Sequence, residues 1–162
     1  MSISRQEFAR RRQELMTIMG PNSIAILPAA PERTRNRDVE YPYRQNSDFW
    51  YLTGFAEPEA VMVLLPGREH GEYVLFCRDR DRTMEIWNGY RAGPEGAVSE
   101  YDADDAFPIS AIDEILQGLI EGSELVYYAL GHDSEFYRRL LATGTSIRAP
   151  ARPAIPTPGS RV

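Results

Sequence analysis

Few side chains in this 162-residue chain could do metal or nucleophilic chemistry: two histidines, one cysteine and a scatter of carboxylates. A transition-metal site draws on several His, Cys and carboxylate ligands brought together. His70, His132 and Cys77 stand far apart, with no HExxH or CxxC spacing. His70 falls between two expected strands and His132 in a Gly-rich turn, so both read as loop histidines. A carboxylate-rich dinuclear site would need several acids in one place. Asp102, Asp104 and Asp105 are the densest group, and they read as a solvated turn. Gly131-His132-Asp133-Ser134 contains the residue types of a hydrolase triad, but a triad is a spatial relay that chain neighbours cannot form. Gly89, Gly93 and Gly96 lack the spacing of a phosphate-cradling loop. A small independent hydrolase is therefore disfavoured.

Two aromatic and charged clusters are more informative. From Arg37 to Phe55, Arg37, Asp38, Glu40, Arg44 and Asp48 interleave with Tyr41, Tyr43, Phe49, Trp50 and Tyr51 in a segment with neither helical nor strand periodicity. Such a mixture suits a partly buried polar network or a surface that meets another protein, and Arg37, Tyr43, Arg44, Asp48 and Tyr51 are its candidate members. The second cluster is Glu85-Ile86-Trp87-Asn88-Gly89-Tyr90-Arg91. An indole beside a helix-ending glycine is either a core plug or an exposed binding platform.

The elements that must position these clusters follow from patterning. Ser4 and Glu7 fit a capping box, opening a helix from about Arg5 to Met19 with Phe8, Leu15, Met16 and Met19 near one side. Arg10, Arg11 and Arg12 read as its solvated face. Ser23 to Leu27 is a compact apolar run between prolines and predicts a buried strand. Ala60 to Leu65 and Glu72 to Phe76, around Pro66-Gly67 and Gly71, predict a hairpin. Ile109 to Ile120 has helical periodicity, Leu125 to Tyr128 predicts a strand, and Asp133 or Ser134 could cap a helix running to Leu141. This alternation predicts an α/β fold with a mixed central β-sheet flanked by helices.

Bulk properties bound the function. The chain is long enough for one domain with a core. Its net charge of -6 and lack of a basic stretch exclude the electrostatic footprint of nucleic-acid binding. No window reaches the roughly 18 apolar residues of a membrane span, and no export signal is visible at Met1. With Cys77 as the sole cysteine, a cytoplasmic protein is expected. Pro150, Pro153, Pro156 and Pro158 crowd the last residues, so residues 1–148 are expected to form the domain and 149–162 a stiff Pro-rich linker.

The stretch from Tyr41 to Phe55 (YPYRQNSDFWYLTGF), followed by Glu57-Pro58-Glu59-Ala60-Val61, closely resembles the signature of the aminopeptidase P N-terminal domain. Ser4 to Phe8, Arg10 to Arg12 and Glu85 to Trp87 look like flanking segments of the same family, whose full-length members are similar to creatinase and prolidase. The resemblance implies a non-catalytic domain that precedes a larger domain holding two manganese ions, which releases the residue ahead of a proline. No metal ligand and no catalytic residue is expected in this chain. It further implies homo-oligomers, with the chain's own C-terminal catalytic domain and neighbouring subunits as partners. Trp87 would wall the substrate cleft of a neighbouring subunit, and Asp38 would lie at that rim facing the substrate's amino end. For Asp38 a plain salt bridge to Arg35, Arg37 or Arg44 stands beside that reading. A free-standing protein-binding or structural module without peptidase activity is the alternative function.

Overall fold

Residues 3–31 and 45–128 are described by a computed structural model of the chain. Arg37, Asp38, Tyr43, Arg44, His132, the helix expected near Asp133 to Leu141 and the Pro-rich segment lie outside the described residues.

Helix α1 (Arg5–Met19) starts at Ser4, whose Oγ accepts from the Glu7 N–H at 3.1 Å. The return half of the expected capping box is not made. The Glu7 carboxylate instead holds Arg10 and Arg11. Gly20 closes the helix at a φ of 82°. Strands β1 (Ser23–Pro28), β2 (Val61–Leu64) and β3 (Tyr73–Cys77) are buried along their whole length, as their continuous apolar runs require. β2 and β3 form the expected hairpin, with Val63 opposite Val74, and the Glu72 side chain closes the turn by accepting from Gly67 N–H.

Between β1 and β2 lies α2 (Ser47–Thr53), and after β3 come α3 (Arg82–Asn88), α4 (Gly93–Tyr101), β4 (Asp105–Pro108), a short 3-10 turn (Ile109–Ala111), α5 (Ile112–Glu121) and β5 (Leu125–Tyr128). The sheet order is β4-β3-β2-β1-β5, antiparallel within β3-β2-β1 and parallel at both outer pairs. It is the expected mixed sheet.

Strand alternation divides the core between the two faces. Ala25, Leu27, Met62, Leu64, Tyr73, Leu75 and Cys77 pack with α1, α2 and α4 through Met16, Met19, Phe49, Leu52 and Ala97. Ile24, Ile26, Val61, Val63, Val74 and Phe76 meet Ile112, Leu116 and Ile120 of α5. Each fully buried Ile, Leu or Phe contributes about 1.5–3 kcal/mol over its exposed state, so this three-layer arrangement is the main source of stability. Helix α3 adds no buried residue to either cluster.

Two expectations need correction. Arg12 is not on a solvated face: it is 4% exposed, its Nη1 donates to Leu52 O at 2.9 Å, and its guanidinium lies 4.1 Å above the Tyr73 ring. Arg11 is half-buried against Tyr51, and only Arg10 faces water with Glu7 and Glu14 as partners. The aspartates after α4 are more than a solvated turn. Asp102 takes a left-handed conformation at the helix end and pairs with Arg5, while Asp104 Oδ2 accepts from the N–H groups of Glu72 and Tyr73 at 3.1 and 3.0 Å. Asp105 begins β4.

Candidate functional site: an exposed aromatic helix held by polar anchors

Helix α3 is only seven residues long, too short to persist on propensity alone. Polar anchors fix it. The Asp81 side chain accepts from Met84 N–H at 3.1 Å. Glu85 returns the favour to Asp81 N–H at 2.9 Å, receives the Arg80 guanidinium as a fork at 3.0 and 2.9 Å, and accepts from Arg91 N–H at 3.3 Å. Gly89, at a φ of 96°, ends the helix by donating its N–H to Glu85 O. The Arg80 fork is the first cause that holds the Glu85 carboxyl down at about 2, well below its usual range, so it is ionised at neutral pH.

One carboxylate thereby ties both ends of α3 together. Arg80 also lies over the Tyr90 ring at 4.9 Å, and the Tyr90 hydroxyl donates to Glu100 on α4 at 3.0 Å. What this frame presents is apolar: Ile86 and Trp87 are 77% and 79% exposed, with Met84 and Tyr90 also open to solvent. Trp87 is therefore exposed and is not a core plug. Large apolar side chains clustered in this way mark a surface that meets another molecule.

The other candidates lie elsewhere. Asp48 sits in the first turn of α2, and Tyr51 on the same helix packs under the Arg11 guanidinium at 4.2 Å, with its carbonyl accepting from Arg11 Nη1. The Tyr51 contacts join α2 to α1.

Sequence reasoning left Gln45 and Glu57 without a role, and both turn out to connect segments. Gln45 Oε1 accepts from Ala30 and Asn46 N–H, and its Nε2 donates to the Phe55 and Glu57 carbonyls. Glu57 accepts from Ala92 N–H at 2.8 Å and faces Arg78 at 3.4 Å, coupling the end of β3 to the start of α4. Their place inside the motif-like stretch around Tyr41 to Val61 was the available signal.

Chemistry within the described residues is sparse. No three His, Cys, Asp or Glu side chains among them are grouped to hold a metal ion. The Cys77 thiol is buried and pushed up to about 12, first by that burial, which keeps it protonated and poorly nucleophilic. No helix among the described residues is long and apolar enough to cross a membrane.

A family model described as "Aminopeptidase P, N-terminal domain" matches residues 8–127, spanning most of α1, the connecting network, the α3 platform and most of β5. The chain belongs to that family. It is 54% identical over 130 residues to the Xaa-Pro aminopeptidase of Escherichia coli (strain K12), covering 80% of this chain and 30% of that relative. It is 29% identical over 138 residues to Xaa-Pro aminopeptidase 3 of Homo sapiens, covering 78% of this chain and 27% of that protein. The structure of the Pseudomonas aeruginosa aminopeptidase PepP superposes with a TM-score of 0.85 at 65% identity, over 90% of this chain and 33% of that one. The chain thus spans about a third of the length of the aminopeptidase P relatives it matches.

Proposed function

We propose that this chain is the non-catalytic N-terminal domain of an Xaa-Pro aminopeptidase, a peptidase that removes the residue preceding proline. In this reading it supports assembly of a homo-oligomer and lends the α3 platform to the wall of a neighbouring subunit's substrate cleft. The observation that carries the reading is Trp87, 79% exposed on a helix that is held by polar anchors and adds nothing to the core. An indole presented on such a helix can exclude water and shape a cleft without taking part in bond breaking. Family membership and relatives named as Xaa-Pro aminopeptidases support the peptidase context.

Asp38 belongs to the same reading as an anionic group at the rim, where it would favour a cationic α-amino end. In this reading the two manganese ions of such a peptidase, with the catalytic chemistry, belong to a domain outside this chain, which spans about a third of the length of its relatives. The chain would work in the cytoplasm, with that catalytic domain and other subunits as partners.

Two measurements test the proposal together. In the longer protein that carries this domain, Trp87→Ala is expected to lower kcat/KM for an Xaa-Pro peptide by about tenfold, mainly through KM, because uniform binding contacts act there. The 162-residue chain with added manganese is expected to show no Xaa-Pro cleavage. Unchanged kcat/KM in the variant removes the cleft-wall role, and chelator-sensitive turnover by the short chain removes the non-catalytic one.

A further inference from the structure

On the sheet face that carries α1, α2 and α4, a pocket of about 340 Å³ opens between the three helices, within the range of small-molecule sites. Phe8, Trp50 and Tyr101 give it aromatic walls, and Phe8 meets Trp50 edge to face at 6.0 Å. Arg5 and Asp102 lie on its rim, paired with each other through Arg5 Nε and Asp102 Oδ2 at 3.1 Å.

Arg12 also lines this pocket, and it is unlike Arg5. It is 4% exposed, and its only hydrogen bond among the described residues runs from Nη1 to Leu52 O. No carboxylate among them lies within ion-pair distance of its guanidinium. The Tyr73 ring lies against that group, its centroid 4.1 Å from Cζ. Asp102 and Asp104 act on the guanidinium charge only from a distance, and the planar fork keeps donors beyond Nη1 for a further acceptor, which favours a carboxylate. Aromatic walls beside it suit a flat apolar body.

We propose that this pocket binds a small monocarboxylate with a flat apolar body, its carboxylate received by Arg12 and its body held between Trp50 and Tyr101. Glu100 at the mouth sets the charge limit. Arg5 offsets the Asp102 charge, so a dianion would carry its second charge past the Glu100 carboxylate, which selects for ligands with a single negative charge.

The test uses the whole 162-residue chain carrying Trp87→Phe, so that Trp50 is the only indole and its fluorescence reports on the pocket. N-acetylphenylalanine is expected to change that fluorescence saturably, and N-acetylphenylalaninamide, which lacks the charge, to bind at least tenfold more weakly. Arg12→Gln is expected to abolish the difference between the two, with circular dichroism checking that the variant is folded. Should that variant not fold, Glu100→Gln serves instead: removing a rim anion is expected to tighten the carboxylate about threefold and leave the amide unchanged. Absence of a saturable signal, equal affinity for acid and amide, or indifference of the carboxylate to Glu100→Gln would each overturn the assignment.

Discussion

A buried guanidinium is tolerated only where its charge meets a compensating surface, and Arg12 finds one in the Leu52 carbonyl and the face of Tyr73. Beside it, Phe8 rests against Gly54, the residue that ends α2 at a φ of 68°. A Cβ at Gly54 would come within 2.6 Å of the Phe8 ring. Gly54→Ala therefore combines a left-handed alanine with an overpacked contact, and we expect a loss of about 2–4 kcal/mol, read as a lower urea midpoint at unchanged slope. A loss below about 0.5 kcal/mol would mean that Phe8 is not held there. At this scale the sequence was partly legible. Phe8, Arg12, Met16 and Met19 share the buried stripe at helical spacing, so the position of Arg12 pointed inward even though its charge pointed outward. The charge was the weaker guide, because long side chains are buried according to the partners they reach, and Leu52 and Tyr73 are remote in the chain.

Among the elements, α3 depends on one carboxylate more than on any apolar contact. The folded Glu85 carboxyl is lowered to about 2 from an ordinary value of 4.5 by Arg80, and a group lowered on folding stabilises above its unfolded value. That contribution is therefore complete above roughly pH 4.5 and is lost as pH falls towards 2. The expected outcome is that Glu85→Gln loosens Trp87 at pH 6, seen as lower fluorescence anisotropy in a Trp50→Phe background, while near pH 2 the variant and its parent converge. A gap that persists unchanged at pH 2 would show that Glu85 does not act through its charge. Helices α2, α3 and α4 were the hardest elements to foresee. The segment Arg37 to Phe55 lacks periodicity as a whole, yet Asn46 caps α2 by accepting from Phe49 N–H and Gly54 ends it. Such short helices are set by their termini, and caps are only a few residues in a long polar stretch. Strand β4, four residues at the sheet edge and only half-buried, had no continuous apolar run to announce it.

For the whole molecule, apolar runs announced β1, β2, β3 and β5, and the mixed sheet followed, because burial on both faces is written into composition. Strand order was not, since a buried run is equally apolar whichever neighbour it pairs with. The α3 platform raises a question that belongs to this scale. In the chain alone, Ile86 and Trp87 face water beside the exposed Met84 and Tyr90, while the net charge of -6 keeps like molecules apart at low salt. Screening that repulsion leaves the apolar contact to act, since the Debye length falls to about 4–5 Å near 0.5 M salt. If the platform is an assembly surface, self-association should rise with salt and with concentration. We expect the light-scattering mass of the 162-residue chain to climb above that of a monomer between low salt and 0.5 M, and an Ile86→Glu, Trp87→Ala double variant to stay monomeric throughout. Association that weakens with salt would point to charge pairing elsewhere on the surface. A clean monomer at millimolar concentration and high salt would remove the assembly role of α3 and leave it, at most, a wall for a cleft that other contacts bring into place.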